Sequence, residues 1–256
     1  MKKVLSIDLD YIMKPCIEIY TNLDYVDFCQ NPMVRWDQFF EFSGMTSENL
    51  NIDVSNLMFC YFVFLKAIKE SKSVSFGYDH DSILYSIEEY EDIHLINFDH
   101  HDDFLHGSFC NNDLNILKKT NKRRVTEYEQ IIENNFVNEG NWIGWLNSKN
   151  KISEFIWVSN ENSANKNRNS IIQSTCPNFK CITKEQVMFS SYEFDHVFVC
   201  LSPQYIPPQH WHYLSMFMIA YEEITGQSSE EHWIKNKKFE FEKCYEKVTE
   251  QIKTKI

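Results

Sequence analysis

Short apolar runs rich in β-branched and aromatic residues recur along the chain, and three of them stop abruptly at acidic and imidazole side chains. KVLSI (3–7) leads into Asp8 and Asp10, SVSFGY (73–78) into Asp79 and His80, and IHLINF (93–98) into Asp99, His100, His101, Asp102 and Asp103. EFIWVS (154–159) and HVFVCLS (196–202) complete the strand candidates. Helical patterns lie between and after them, at 55–71, 82–91, 125–136, 211–224 and in a charged C-terminal stretch over 229–252. Strands alternating with helices predict an α/β domain around a mainly parallel sheet.

With 256 residues and no Pro/Gly/Ser linker long enough to divide them, the chain reads as one domain over 1–256, with C-terminal helices from 211. Aromatic residues make up 15%, the composition of a packed core. The net charge of -12 argues against binding a phosphate backbone, so no nucleic-acid partner is expected, and it favours a cationic one. MKKVLSIDLDYI begins like an export signal, but Asp8 and Asp10 interrupt its apolar segment. No apolar run reaches the roughly 18 residues of a membrane span, so the expectation is a soluble, cytoplasmic protein with no membrane partner. The eight cysteines include no CxxC pair and read as reduced thiols, mostly buried.

Alternate residues of an extended segment share a face, which would place Asp99, His101 and Asp103 together, and likewise Asp8 and Asp10. In a parallel α/β sheet, functional groups gather beyond the carboxyl ends of the strands. Asp8, Asp10, His80, Asp99, His101 and Asp103 are therefore expected to meet as four carboxylates and two imidazoles. Carboxylates brought together raise one another's pKa, and two divalent cations would relieve that repulsion. A carboxylate-rich, thiolate-free set suits Mn²⁺, with Mg²⁺ or Fe²⁺ as substitutes. Two such ions can turn a shared water into a nucleophile near neutral pH.

FGYDHDS resembles the G-G-D-H-S segment of the ureohydrolase (arginase/agmatinase) superfamily, FDHHDD its D-A-H-x-D segment, and SIDLDYIMKP its S-x-D-x-D-x-x-D-P segment. The resemblance implies a three-layer α/β/α sandwich, arginase/deacetylase-like, holding two Mn²⁺ ions. It implies His80, Asp99, Asp103 and Asp8 at one ion and Asp99, His101, Asp8 and Asp10 at the other, with Asp8 and Asp99 bridging. The chain departs from ordinary arginases: the DxD motif opens the chain, MKP replaces the motif's last Asp, and FLHG follows Asp103 where a long substrate loop would lie. In these respects it is similar to the peptide arginase family, a divergent branch whose members convert arginine residues of ribosomally made peptides to ornithine. NEGNWIGWL and VCLSPQYIPP also fit that branch, extending the resemblance over most of residues 1–210.

The resemblance implies an arginine-containing peptide as substrate, such as a precursor peptide, and urea as product. Catalytic roles fall to Asp103 and to His106, which matches the proton-shuttling histidine that follows the metal motif in arginases. Glu139 and Asn141 in NEGNWIGWL, and Glu161 after the fourth strand, are the candidates for holding the guanidinium. Trp142 and Trp145 read as core, His100 as a support for a ligand, and His210-x-His212 as a helix start after a Pro-rich turn. A deacetylase or small-molecule ureohydrolase on the same fold, and a metal-stabilised peptide-binding protein, are the competing readings.

Overall fold

The computed structural model describes residues 1–14, 32–104, 137–161, 163 and 169–234. Its six strands are β1 (Lys2–Asp8), β2 (Val74–Gly77), β3 (Ile93–Asp99), β4 (Ile152–Ser159), β5 (Phe179–Ile182) and β6 (His196–Cys200). They form one sheet in the order β2-β6-β1-β3-β4-β5, with every neighbouring pair parallel. The helices are α1 (Pro32–Ser43), α2 (Val54–Glu70), α3 (Leu84–Ile87), α4 (Trp142–Ser148), α5 (Asn169–Thr175) and α6 (His212–Thr225). Among the described residues no helix is long and apolar enough to cross a membrane.

The two-residue period of the strands divides the core between the two faces of the sheet. Leu5, Ile7, Phe76, Phe98, Val197 and Val199 pack with α1, α2 and α6, whereas Val4, Leu95, Phe155, Trp157 and Phe198 pack with α3, α4 and α5. The result is an α/β/α sandwich. Helix α2 buries Leu57, Cys60, Val63, Phe64, Ala67 and Ile68, the spacing of one helical face, and the Asp53 carboxylate caps it by accepting from the Asn56 N–H at 3.1 Å. Helix α6 packs on α2 through Phe217, whose ring lies 5.1 Å from that of Phe64, and ends at Gly226 in the left-handed conformation that favours glycine.

Several elements differ from the sequence expectation. Strand β5 has four residues, only the first of them buried, so it carries too little alternation to read as a strand. Helix α1 begins at Pro32, where a proline's fixed φ suits the first turn. Helix α4 arises within GNWIGWLN, in which two glycines and two asparagines resemble a turn. The 82–91 region forms a 3-10 turn (His80–Ile83) followed by the short α3, and the C-terminal stretch opens with a 3-10 turn at Ser229–His232. The helix expected over 125–136 and the remainder of the C-terminal stretch lie outside the described residues.

Candidate metal centre

Parallel order puts the carboxyl ends of β1, β2, β3 and β6 along one edge, and the chain turns immediately after each. Strand β1 ends at Asp8, whose Oδ1 accepts the Asp10 N–H at 2.8 Å and caps the 3-10 turn Leu9–Ile12. Asp10 is fully buried by that turn. Strand β2 ends at Gly77, where a Cβ would collide with Ser82 Oγ and stand 2.6 Å from the Phe198 ring. Only glycine lets the chain pass there and fold into the turn that begins with His80. After β3, Asp99 Oδ1 accepts the His101 N–H at 2.7 Å, and Asp103 adopts a left-handed φ of 47°. The ligand candidates thus converge through turns, and the extended alternation expected for 99–103 stops at Asp99.

These turns bring the six expected residues together. His80 Nδ1 lies 3.1 Å from Asp8 Oδ2, 3.0 Å from Asp99 Oδ2 and 2.8 Å from Asp103 Oδ2. His101 Nδ1 lies 2.9 Å from Asp10 Oδ2 and 3.5 Å from Asp99 Oδ1. Two sulfur-free ligand groups result, His80/Asp99/Asp103 and Asp10/Asp99/His101, joined by Asp99; Asp8, expected to bridge both ions, groups instead with His80 and Cys200. All are buried except His101, whose side chain is 21% exposed and marks the open side.

Four carboxylates and two imidazoles in one buried cluster suit cations better than protons. A ring nitrogen carries at most one hydrogen and cannot serve three carboxylates. Neither His80 Nδ1 nor Asp10 Oδ2 makes a well-formed hydrogen bond, although both are buried. The donors of these two groups are oxygens and imidazole nitrogens, a set that several divalent cations accept.

Electrostatics show the same strain. Burial, then the charges of Asp8 and Asp99, push Asp10 well above the usual carboxylate range, and burial with Asp99 does so for Asp103. Burial opposes ionisation of Asp99 as well, but the adjacent imidazoles of His101 and His80 overcome it and hold that carboxyl far below the usual range. Burial also works against protonating the imidazoles. It is outweighed at His80 by Cys200, Asp103 and Asp8, and at His101 by Asp10 and Asp99, so both pKa values rise well above normal. Without cations the cluster holds protons in their place.

A surrounding layer fixes these groups. Ser6 Oγ lies 2.7 Å from His80 Nε2 and so turns Nδ1 toward the carboxylates. Asn97 Nδ2 donates to Asp99 Oδ2 at 3.2 Å, Trp142 Nε1 to Asp103 Oδ2 at 2.7 Å, and Ser202 Oγ to Asp8 Oδ2. The backbone N–H of His100 donates to Asp10 Oδ1 at 3.2 Å, whereas the ring expected to support a ligand places its Nε2 3.1 Å from the Met13 carbonyl. Ser202, like Asp103, holds a left-handed φ, here 48°. Tyr205 lays its ring 4.6 Å from that of His101 on the open side.

The expected substrate residues are placed differently. Glu139 is half-buried, and its charge raises the pKa of Tyr205, after burial the largest influence on that phenol. Asn141 is buried, and its Oδ1 accepts the Asn138 N–H at 2.9 Å, serving the turn before α4. Glu161 is exposed in the turn after β4 and belongs to neither ligand group. His106 lies outside the described residues. Trp142 and Trp145 are buried as expected, and His212 begins α6 after a 3-10 turn that contains His210.

Sequence reasoning missed Ser6, Asn97, Trp142, Cys200, Ser202 and Tyr205. Ser6 and Asn97 each precede a ligand by two residues in the same strand and therefore share its face, a signal available in the sequence. No known family model, curated protein or solved structure matches the chain.

Proposed function

We propose that the chain is a Mn²⁺-dependent hydrolase that converts arginine residues of a peptide to ornithine and urea. The observation that carries this reading is the buried, oxygen-rich pair of ligand groups joined by Asp99, one group holding His80 and Asp103 and the other His101 and Asp10. The motif resemblance adds the substrate class. Bound divalent cations would supply Lewis acidity and bring the pKa of water toward neutrality.

The chain's own residues supply the remainder. Hydrolysis adds water across the bond between the guanidinium carbon and Nε, so a proton must reach Nε as the ornithine amine departs. Asp103, fixed by Trp142, is the described group suited to hold that proton, and His106 takes the role under the resemblance. On the open side the Tyr205 ring, packed against His101 and approached by the Arg35 guanidinium at 5.7 Å, borders the entrance, and Glu139 adds negative charge near it. A net charge of -12 draws cationic peptides, an attraction that weakens with salt. FLHG directly after Asp103 leaves little sequence there to grip the charged α-amino and α-carboxylate groups of free arginine. A peptidyl arginine presents neutral amides in their place.

The test compares kcat/KM of the Mn²⁺-loaded protein for arginine, agmatine and an N-acetylated, C-amidated arginine peptide, at low and moderate salt. Preference for the blocked peptide, stronger at low salt, is the expected result. Preference for free arginine would leave a small-molecule ureohydrolase. Absence of urea from all three would leave the deacetylase and peptide-binding readings, and acetyl-lysine turnover separates those two.

A further inference from the structure

His80 stands between two different sets of ligands. On one side are Asp99 and Asp103, which offer only oxygen. On the other are Asp8 and the thiol of Cys200, whose ligand atoms lie with a His80 nitrogen mutually within 4.8 Å. The parallel ladder creates this second set, because Asp8 ends β1, Cys200 ends β6, and the two are partners in register. All three residues are buried. Cys200 is a free thiol, and its Sγ lies 3.6 Å from Ser202 Oγ, the same hydroxyl that donates to Asp8. Ser6 occupies Nε2 of His80, leaving Nδ1, the nitrogen 3.1 Å from Asp8 Oδ2, for a cation.

We propose that Asp8, His80 and Cys200 form a binding site for a thiophilic divalent cation, Zn²⁺ above all, that shares His80 with the oxygen-rich set and competes with it. An imidazole nitrogen has one lone pair and serves one ion at a time. Thiolate sulfur favours Zn²⁺ over Mn²⁺, and Zn²⁺ also binds imidazole more tightly. On binding, the S–H bond of Cys200 is replaced by a sulfur–metal bond and the proton leaves to solvent. The strand ladder therefore gives the centre a way to be diverted by zinc: an ion drawn toward Cys200 takes His80 away from Asp99 and Asp103. The site itself stands on its own geometry, whereas its competition with a Mn²⁺ pair rests on the proposed function.

Co²⁺ is the probe, because a cobalt–thiolate bond gives a near-ultraviolet charge-transfer absorption that oxygen and nitrogen ligands do not. Metal-free, reduced wild-type protein titrated with Co²⁺ should develop this band, Cys200→Ala and Cys200→Ser should lack it, and Asp103→Asn should retain it. Cys200→Ala should also lower Zn²⁺ affinity by at least the about 10–100-fold that accompanies loss of a supporting group, and Mn²⁺ affinity by far less. Thermal unfolding of both cysteine variants confirms that they fold, and the serine variant keeps the side-chain volume if alanine does not. No band with Co²⁺ bound, or a band of equal strength in both cysteine variants, overturns the site. A band that saturating Mn²⁺ leaves undiminished overturns the sharing of His80. Failure to release urea while the band persists counts against the proposed function and leaves the thiolate site standing.

Discussion

Asp99 turns its two carboxylate oxygens toward two different imidazoles, Oδ2 standing 3.0 Å from His80 Nδ1 and Oδ1 3.5 Å from His101 Nδ1. Asp10, by contrast, faces one imidazole among the described residues, that of His101. Asp99→Asn should therefore abolish retention of both cations, whereas Asp10→Asn should keep the one on the His80 side. Elemental analysis of the Mn²⁺-loaded variants after gel filtration measures this. Equal retention of two ions by both variants would remove Asp99 from its joining role.

Ser6 reaches the centre through His80 Nε2. Ser6→Ala frees the imidazole to rotate or change tautomer, and it should weaken cation binding on the His80 side by about 10–100-fold while leaving the fold intact. Calorimetric titration with Mn²⁺ should show one weakened and one unchanged step. Two unchanged steps would mean that the Ser6 contact does not orient the ligand.

Cation binding should release protons. Asp10 and Asp103, with pKa values pushed up by burial and neighbouring charge, and both raised imidazoles must lose protons to become ligands. Raised folded-state values mean that the metal-free fold gains from these protons at low pH and loses that gain as pH rises. The stabilisation given by Mn²⁺ should therefore grow as pH rises from about 6.5, the ordinary imidazole value, upward. Thermal unfolding with and without Mn²⁺ across that range tests the sign, and a constant increment would contradict it.

His196 gives an independent pH dependence with the opposite sign. Its ring nitrogens lie 2.7 Å from Ser73 Oγ and 2.8 Å from Ser75 Oγ, and burial, with a smaller effect of His232, brings its pKa down to about 4. Between the unfolded value of about 6.5 and that level the unfolded chain binds the extra proton, so stability falls as pH falls through the window, by about 3 kcal/mol. His196→Gln should flatten this slope relative to wild type in denaturant titrations of metal-free protein. An identical slope would show that His196 does not stay neutral in the fold.

Gly77 permits the close crossing of the chain over Phe198. Gly77→Ala should cost about 1–3 kcal/mol by overpacking and displace the turn that carries His80, lowering cation affinity as well as the midpoint of unfolding. A fully stable variant with normal affinity would contradict the account of that turn.

What could be read from the sequence follows from periodicity. Buried strands with a two-residue period reveal themselves, as do the ligand side chains that end them, because Asp and His after an apolar run need a reason to be there. Strand β5 is too short and exposed to leave a pattern, and α4 is disguised by Gly140 and Gly144. Cys200 and Ser202 escaped notice because their importance lies in β6 being inserted between β2 and β1, a long-range pairing that no local window contains. The convergence of Asp99, His101 and Asp103 was anticipated for a different reason. Extended alternation ends at Asp99, and the left-handed conformation of Asp103, with its carbonyl accepting the N–H groups of Ile143 and Gly144 at 3.2 and 3.3 Å, returns its carboxylate to the cluster.

The proposed metal-dependent hydrolysis of a peptidyl guanidinium by this cluster is tested most directly by mass spectrometry of one substrate. An N-acetylated, C-amidated arginine peptide incubated with Mn²⁺-loaded wild-type protein should be converted to the ornithine peptide with one urea released per conversion, while metal-free protein and Asp99→Asn convert none. An unchanged peptide in the presence of a protein that holds two Mn²⁺ ions would contradict the account.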